Sequence, residues 1–234
     1  MGVAKTFQIA IDGPVAAGKG TTAKLVAQRL GYLYVDTGAM YRALTLYTMQ
    51  KKVNWANEAE TVKLVEADKP NVELRVPEGE TKDGRLCTVI LNGEDVSWKV
   101  RTEEVSHAVS PVAQYLKIRD YVNVLARRMA ETQNVVMEGR DITGVVLPDA
   151  DLKIYMDADP MERAKRRHRE LLMRGEDITI EQVYKELVER DERDMERNLK
   201  KVPGVWILDT TGLTIDQVAA KIVERVHEKR AKEN

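Results

Sequence analysis

The stretch Gly13-Pro14-Val15-Ala16-Ala17-Gly18-Lys19-Gly20-Thr21 constrains this chain more than any other. It follows the apolar run Phe7-Gln8-Ile9-Ala10-Ile11 and opens into a helical pattern with apolar residues at Ala23, Val26, Ala27 and Leu30. The spacing is G-x-x-x-x-G-K, with Gly20 where the general pattern has Ser or Thr, and Thr21 one place later. Glycines let backbone N–H groups curl around phosphate oxygens, the helix N-terminus adds partial positive charge, and Lys19 supplies a point charge. A turn kept only for packing has no use for a lysine among small and apolar residues. The unit points to an α/β fold and a phosphate-bearing ligand.

Five apolar segments read as buried parallel strands: Phe7 to Ile11, Tyr32 to Val35, Asn134 to Met137, Leu152 to Met156, and Val205 to Leu208. Most lack period-2 alternation, as expected of strands covered by helices on both faces. Gly31 is a helix stop, Asp159-Pro160 an N-cap followed by an N1 proline, and Asp216 to Lys229 a closing amphipathic helix. Strands alternating with helices predict a doubly wound sheet. One region breaks the alternation. Val72 to Val76, Cys87 to Leu91 and Glu94 to Trp98 read as a small antiparallel meander, its second turn marked by Asn92-Gly93. The expected fold is an α/β, doubly wound, five-stranded parallel sheet of the P-loop type with this inserted meander. The core covers 1–70 and 99–234, and the insert covers 71–98.

Composition narrows the partners. The 37 Lys+Arg against 38 Asp+Glu leave a net charge of −1, without the basic footprint of a nucleic-acid-coating protein. Cys87 is the single cysteine, so neither an intramolecular disulfide nor a cysteine-cluster zinc site is expected. The longest run free of Asp, Glu, Lys and Arg is Val105 to Leu116, well short of the ~20 residues a spanning helix needs. Met1-Gly2 with Thr6 fits the loose myristoylation pattern, but a strand begins at once, and Asp12 interrupts the apolar run before it could serve as a signal peptide. The expectation is a cytoplasmic, monomeric protein with no membrane or nucleic-acid partner.

A phosphate loop leaves three classes open: a small-molecule kinase, a GTPase switch and a mechanochemical ATPase. Asp141-Ile142-Thr143-Gly144 matches the D-x-x-G of switch proteins, but the guanine-reading Asn-Lys-x-Asp occurs nowhere in the chain. A motor needs further domains that 234 residues barely permit.

The variant G-x-x-x-x-G-K-G-T resembles the nucleoside monophosphate kinases. Asp36-Thr37-Gly38-Ala39-Met40-Tyr41-Arg42, Glu138-Gly139-Arg140-Asp141 and Arg190-Asp191-Glu192-Arg193-Asp194-Met195-Glu196-Arg197 narrow the resemblance to the bacterial cytidylate kinases, over essentially the whole chain. The resemblance implies transfer of the ATP γ-phosphoryl group to CMP or dCMP, with Mg²⁺ accompanying ATP, and makes the meander an enlarged monophosphate-binding subdomain. By the same similarity Gly13 to Thr21 bind ATP, and Arg42 and Arg140 grip the acceptor phosphate. Ser110 and Arg119 contact the cytosine, Asp141 and Arg197 assist around the base, and Arg190 and Asp194 bind the ribose. Thr37 stands where relatives often have Ser, and Val15-Ala16 replace a common Ser-Gly.

The residues themselves support part of this. Phosphoryl transfer needs positioning and charge neutralisation across two phosphate groups, which calls for several arginines. Arg190, Asp194 and Arg197 share one helix face at i, i+4 and i+7, as a salt-bridge ladder would too. Arg163, Lys165, Arg166, Arg167, Arg169 and Arg174 crowd one short segment; by resemblance it belongs to a helical lid at about 162–178, with Arg163 and Arg167 the candidates for the transferring phosphoryl. His168, in the same run, reads as a surface residue. Asp36 either orients magnesium-bound water or caps a helix starting near Gly38, and Thr21 shares the water-mediated role. No direct protein cage for Mg²⁺ is expected. Rivals are a kinase for UMP, AMP or another small acceptor, and a slowly hydrolysing protein that changes partners.

Overall fold

Residues 6–85, 87–173, 175–197 and 201–233 are described by the structure, a computed structural model, with the backbone alone at 193–197 and 233. In chain order, β1 (Gln8–Asp12) leads through the glycine-rich loop into α1 (Lys19–Leu30), then β2 (Leu33–Asp36), α2 (Thr37–Gln50) and α3 (Glu58–Asp68). β3 (Val72–Arg75), β4 (Thr88–Leu91) and β5 (Glu94–Asp95) follow, then α4 (Glu103–Val112) and α5 (Leu116–Thr132). β6 (Val135–Glu138), β7 (Leu152–Asp157), α6 (Pro160–Met173), α7 (Ile180–Arg197), β8 (Trp206–Asp209) and α8 (Ile215–Glu233) complete the chain. β1, β2, β6, β7 and β8 form a five-stranded sheet in the order β2-β6-β1-β7-β8, and β3-β4-β5 a separate three-stranded one. The chain divides into two compact units, Met1–Thr6 with Leu33–Val135, and Phe7–Tyr32 with Val136–Asn234.

In the second unit β1 runs parallel to β7, with Ile9 opposite Leu152 and Asp12 opposite Tyr155, and β7 runs parallel to β8 from Ile154–Trp206 to Asp157–Asp209. Ile9, Ile11, Val136, Met137, Ile154 and Met156 are wholly buried, which is why these strands show no alternation in sequence. Four of the five strands start one residue later than the apolar runs suggest, and all five run one residue further. Each continues into an acidic residue: Asp12, Asp36, Glu138, Asp157 or Asp209. A carboxylate ends an apolar run but does not interrupt a backbone ladder, so hydropathy places the boundary early. Helix ends follow local chemistry. Gly31, at φ +67, returns its N–H to Ala27 and Gln28 carbonyls and stops α1; Asp159 accepts the Met161 and Glu162 amides ahead of Pro160.

In the first unit Asn92 and Gly93 take φ +50 and +88, the two left-handed residues of a type I′ hairpin, and set Leu91 opposite Glu94. β5 covers only Glu94–Asp95, shorter than the expected run to Trp98. Beyond Asp95 the backbone adds one bond, from the Val96 amide to the Val89 carbonyl at 2.9 Å, and a side chain then takes over: Ser97 Oγ accepts the Val89 amide at 2.8 Å and donates to Asp95 Oδ1 at 2.5 Å. Arg85 ties the meander together. It pairs with Asp83 at 2.6 Å and with Asp95, and its guanidinium lies 6.0 Å from the centroid of the Trp98 ring. Trp98 Nε1 donates to Asp83 at 2.9 Å. Cys87, the chain's single cysteine, is buried.

The Arg85 network has a pH signature. Hydrogen bonds from Arg85 and then Trp98 hold the Asp83 carboxyl far below its ordinary value. Burial pushes Asp95 up, but bonds from Ser97 and Arg85 outweigh it and leave it lowered. Both groups are lower in the folded state, so their contribution is complete above the ordinary carboxylate pKa of about 4 and is lost as pH falls below it. In a Trp55→Phe, Trp206→Phe background, Trp98 fluorescence is expected to report local opening of the meander between about pH 4 and pH 2. In Arg85→Met that acid-dependent component should shrink; an unchanged profile would show that Arg85 does not hold the meander.

Candidate active site

The phosphate loop is shaped by close approach. Gly13 follows Asp12 at φ +150, and a Cβ there would lie 2.0 Å from the Met156 carbonyl oxygen of β7. Only glycine lets the chain turn off β1 against its neighbouring strand. Gly18, at φ +88, is the N-cap of α1 and brings no side-chain cap, and the first turn holds no acidic residue. The first intrahelical bond runs from the Thr22 amide to the Gly18 carbonyl at 3.0 Å, so the amides of Lys19, Gly20 and Thr21 lie ahead of it as the donors of an anion site. Lys19 Nζ folds back and donates to the Gly13 and Pro14 carbonyls at 2.7 and 2.8 Å. Thr21 is exposed on the same turn.

Ala16 sits at φ +61, a left-handed conformation that costs a non-glycine residue roughly 1–2 kcal/mol. Packing offsets this: Val15 and Ala16 lie against a small core of Ala164, Leu171, Val183 and Leu187 from α6 and α7. Arg163 is fixed under the same loop. It is 4% exposed, donates from Nε to the Ala158 carbonyl at 3.1 Å and from Nη1 to the Val15 carbonyl at 3.1 Å, and pairs with Asp191 of α7 at 2.6 Å. The second oxygen of Asp191, Oδ1, is buried without a hydrogen-bond partner among the described residues. Other arginines of α6 hold their neighbours more loosely. Arg166 bonds Glu162 and the Thr210 carbonyl, and Arg167, about one-third exposed, pairs with Glu170 at 2.8 Å. His168 is half-buried, its Nε2 2.8 Å from the Ile178 carbonyl, rather than the surface residue its charged surroundings suggest. Of the α7 residues singled out from sequence, Arg190 is exposed. The side chains of Asp194 and Arg197 lie outside the described residues.

Arg140 and Asp141 follow β6. The Gly139 amide bonds the Ile11 carbonyl at 3.0 Å, and a single π-type turn spans Ile142–Val146. Asp12, 1% exposed, accepts the Ile142 amide on Oδ1 and the Thr143 amide and hydroxyl on Oδ2 at 2.8, 2.8 and 2.6 Å. Burial raises the Asp12 carboxyl above its ordinary value although these donors oppose the shift. Burial also pushes the Tyr155 hydroxyl up to about 12, so it remains neutral at the sheet edge.

In the first unit Asp36 caps α2, accepting the Ala39 amide at 3.0 Å, while its other oxygen lies 3.7 Å from Arg101. The helix-cap bond weighed for Asp36 is therefore present, on one of its two oxygens. Thr37 is buried in the first turn of α2. Arg42 donates to Ser106 Oγ at 2.7 Å and to the Val100 carbonyl at 3.3 Å. Ser110 is exposed near the end of α4, and Arg119 of α5 donates to the Ala113 carbonyl at 3.3 Å. Sequence reasoning missed Arg101, which no motif marks, and Asp12, whose partners Ile142 and Thr143 lie far along the chain.

Arg163 and Asp191 carry a measurable prediction. Asp191→Ala leaves a buried guanidinium uncompensated and should cost about 3 kcal/mol in urea denaturation. The Arg163→Met, Asp191→Leu pair should recover most of that, because an apolar pair of similar volume removes the charge as well. A loss under about 1 kcal/mol for Asp191→Ala would mean the pair behaves as a surface ion pair.

With this geometry in place, the comparisons identify relatives. The family model described as cytidylate kinase matches residues 9–228. Two cytidylate kinases, from Bacillus cereus and a Geobacillus species, are 44% and 45% identical to this chain over 95% of its length, covering 96% and 97% of their own. A third, from Bacillus thuringiensis, is 45% identical over 94% of the chain and 95% of its own length.

Proposed function

The chain belongs to the cytidylate kinase family, and from that premise we propose how its residues divide the work of moving the ATP γ-phosphoryl group onto CMP or dCMP, yielding ADP and CDP or dCDP. The observation that carries the reading is the phosphate loop itself, a helix N-terminus free of acidic residues with Lys19 folded over the carbonyls of Gly13 and Pro14. Such a lysine exchanges weak neutral acceptors for phosphate oxygens when ATP arrives. Gly13 to Thr21 cradle the triphosphate through backbone N–H groups. Arg42 and Arg140 hold the acceptor phosphate, and Thr37 adds a hydroxyl. Ser110, Arg119 and Asp141 read the cytosine, Arg190 and Asp194 the ribose, and Arg197 lies beside the base. The 71–98 insert serves as the monophosphate-binding subdomain and 162–178 as the lid.

Of the two lid candidates, Arg167 is the one that reaches the transferring phosphoryl, since among the described residues only an exposed pair with Glu170 restrains it, whereas Arg163 supports the loop from beneath. Mg²⁺ fits as a companion of ATP. Among the described residues no three His, Cys, Asp or Glu side chains converge to cage a metal, and phosphates and water supply most ligands of Mg²⁺ in such sites. The Thr21 hydroxyl is the loop's own oxygen for it, and Asp36 acts through water. When bound, the ion neutralises developing charge on the phosphates. No helix among the described residues is long and apolar enough to cross a membrane. We place the enzyme in the cytoplasm as a monomer serving pyrimidine nucleotide metabolism.

A coupled ADP-release assay with CMP, dCMP, UMP, AMP and no acceptor tests the assignment: CMP or dCMP should be turned over best, and best activity with AMP or acceptor-independent hydrolysis would sink it. Lys19→Ala should lower kcat by at least about a hundredfold with little change in CMP affinity, because its charge acts on ATP. Asp194→Ala should instead raise the KM for CMP and leave any basal ATPase intact. No change in that variant would leave the α7 face a salt-bridge ladder.

A further inference from the structure

Arg140 and Asp141 are bracketed by β1 on both sides. Ahead of them the Gly139 amide bonds the Ile11 carbonyl, and behind them Asp12 takes three hydrogen bonds from Ile142 and Thr143. The next residue after Asp12 is Gly13, packed so closely against the Met156 carbonyl that no side chain fits there. One end of one strand therefore sets the position of the phosphate loop and of the Arg140-Asp141 pair together. The Asp12 carboxylate is buried, pairs with no cation among the described residues, and spends its acceptor capacity on the first two amides and the threonine hydroxyl of a π-type turn.

We propose that Asp12 is a positioning residue for the acceptor nucleotide: through Thr143 and the Ile142 amide it holds Arg140 and Asp141 in register with the phosphate loop. This rests on the reading above, in which those two residues serve the acceptor phosphate and base. Asp12 touches neither substrate. Thr143 is its partner, because the hydroxyl is the only side-chain donor among its three bonds.

Two substitutions at Thr143 isolate the bond without disturbing Asp12. Thr143→Ser keeps the donor, and Thr143→Val keeps the shape without it. Thr143→Val should raise the KM for CMP about fivefold, with the KM for ATP within about twofold and Thr143→Ser close to the parent protein. Amide hydrogen exchange of the free protein should quicken across 140–146 in Thr143→Val and Asp12→Asn, and stay unchanged in α8. Equal rises in both KM values, or no rescue by serine, would reduce Asp12 to a general structural carboxylate and overturn the proposal. If the parent protein fails to use CMP, the substrate reading falls, and exchange then decides the positioning role alone: acceleration confined to 140–146 supports it, and uniform or absent acceleration overturns it.

Discussion

Every strand of the parallel sheet ends on a carboxylate, and most of these carboxylates accept backbone N–H groups. Asp12 bonds the amides of Ile142 and Thr143, Asp36 that of Ala39, Asp157 that of Ala158 and Asp209 that of Thr211. This interaction is what permits an anion site at a sheet edge rich in acids. A free carboxylate beside a phosphate would repel it by several kcal/mol where water is scarce; one that accepts N–H donors has part of its charge offset and its orientation fixed. The same bonds start α2, and fix the turn behind Arg140-Asp141. Gly13 completes the arrangement, since the lack of a side chain lets the loop leave β1 hard against the Met156 carbonyl.

The parts of this protein legible in its sequence are those set by local rules. The phosphate loop, the Gly31 stop, the Asp159-Pro160 start and the Asn92-Gly93 hairpin each depend on residues within one turn of each other, and each is found where the rules put it. The strands were legible as apolar runs, yet their last residues were not, because hydropathy stops at the carboxylate while the ladder continues. β5 shows the opposite error. Its apparent pattern runs to Trp98, but Ser97 and Asp95 take over the bonding through side chains, which strand periodicity does not register. Asp12 and Arg101 were invisible for a different reason. Their partners lie 130 and 65 residues away in sequence, and no spacing rule reaches that far.

Arginine shows how much of a site's chemistry is decided by what a cation is already holding. Sequence presents Arg163 and Arg167 as equals, four residues apart on one helix. The structure separates them by cost. Arg167 is bound to Glu170 by an exposed pair at i,i+3, an interaction worth about 0.3–0.5 kcal/mol and weakened by salt. Arg163 is buried, holds the Val15 carbonyl and is paired with Asp191, and removing one member of such a pair costs about 3–5 kcal/mol. Phosphate binding would have to replace all of those partners to draw Arg163 out. An arginine meant to move with each turnover must be cheap to release, and one meant to hold a strained loop must not be. The Ala16 conformation, unfavourable by itself, persists because Arg163 and the apolar core of α6 and α7 hold the loop from beneath. The expensive arginine therefore keeps the glycine-rich loop in shape, and the inexpensive one is the arginine of the two that a ligand could draw away from its partner.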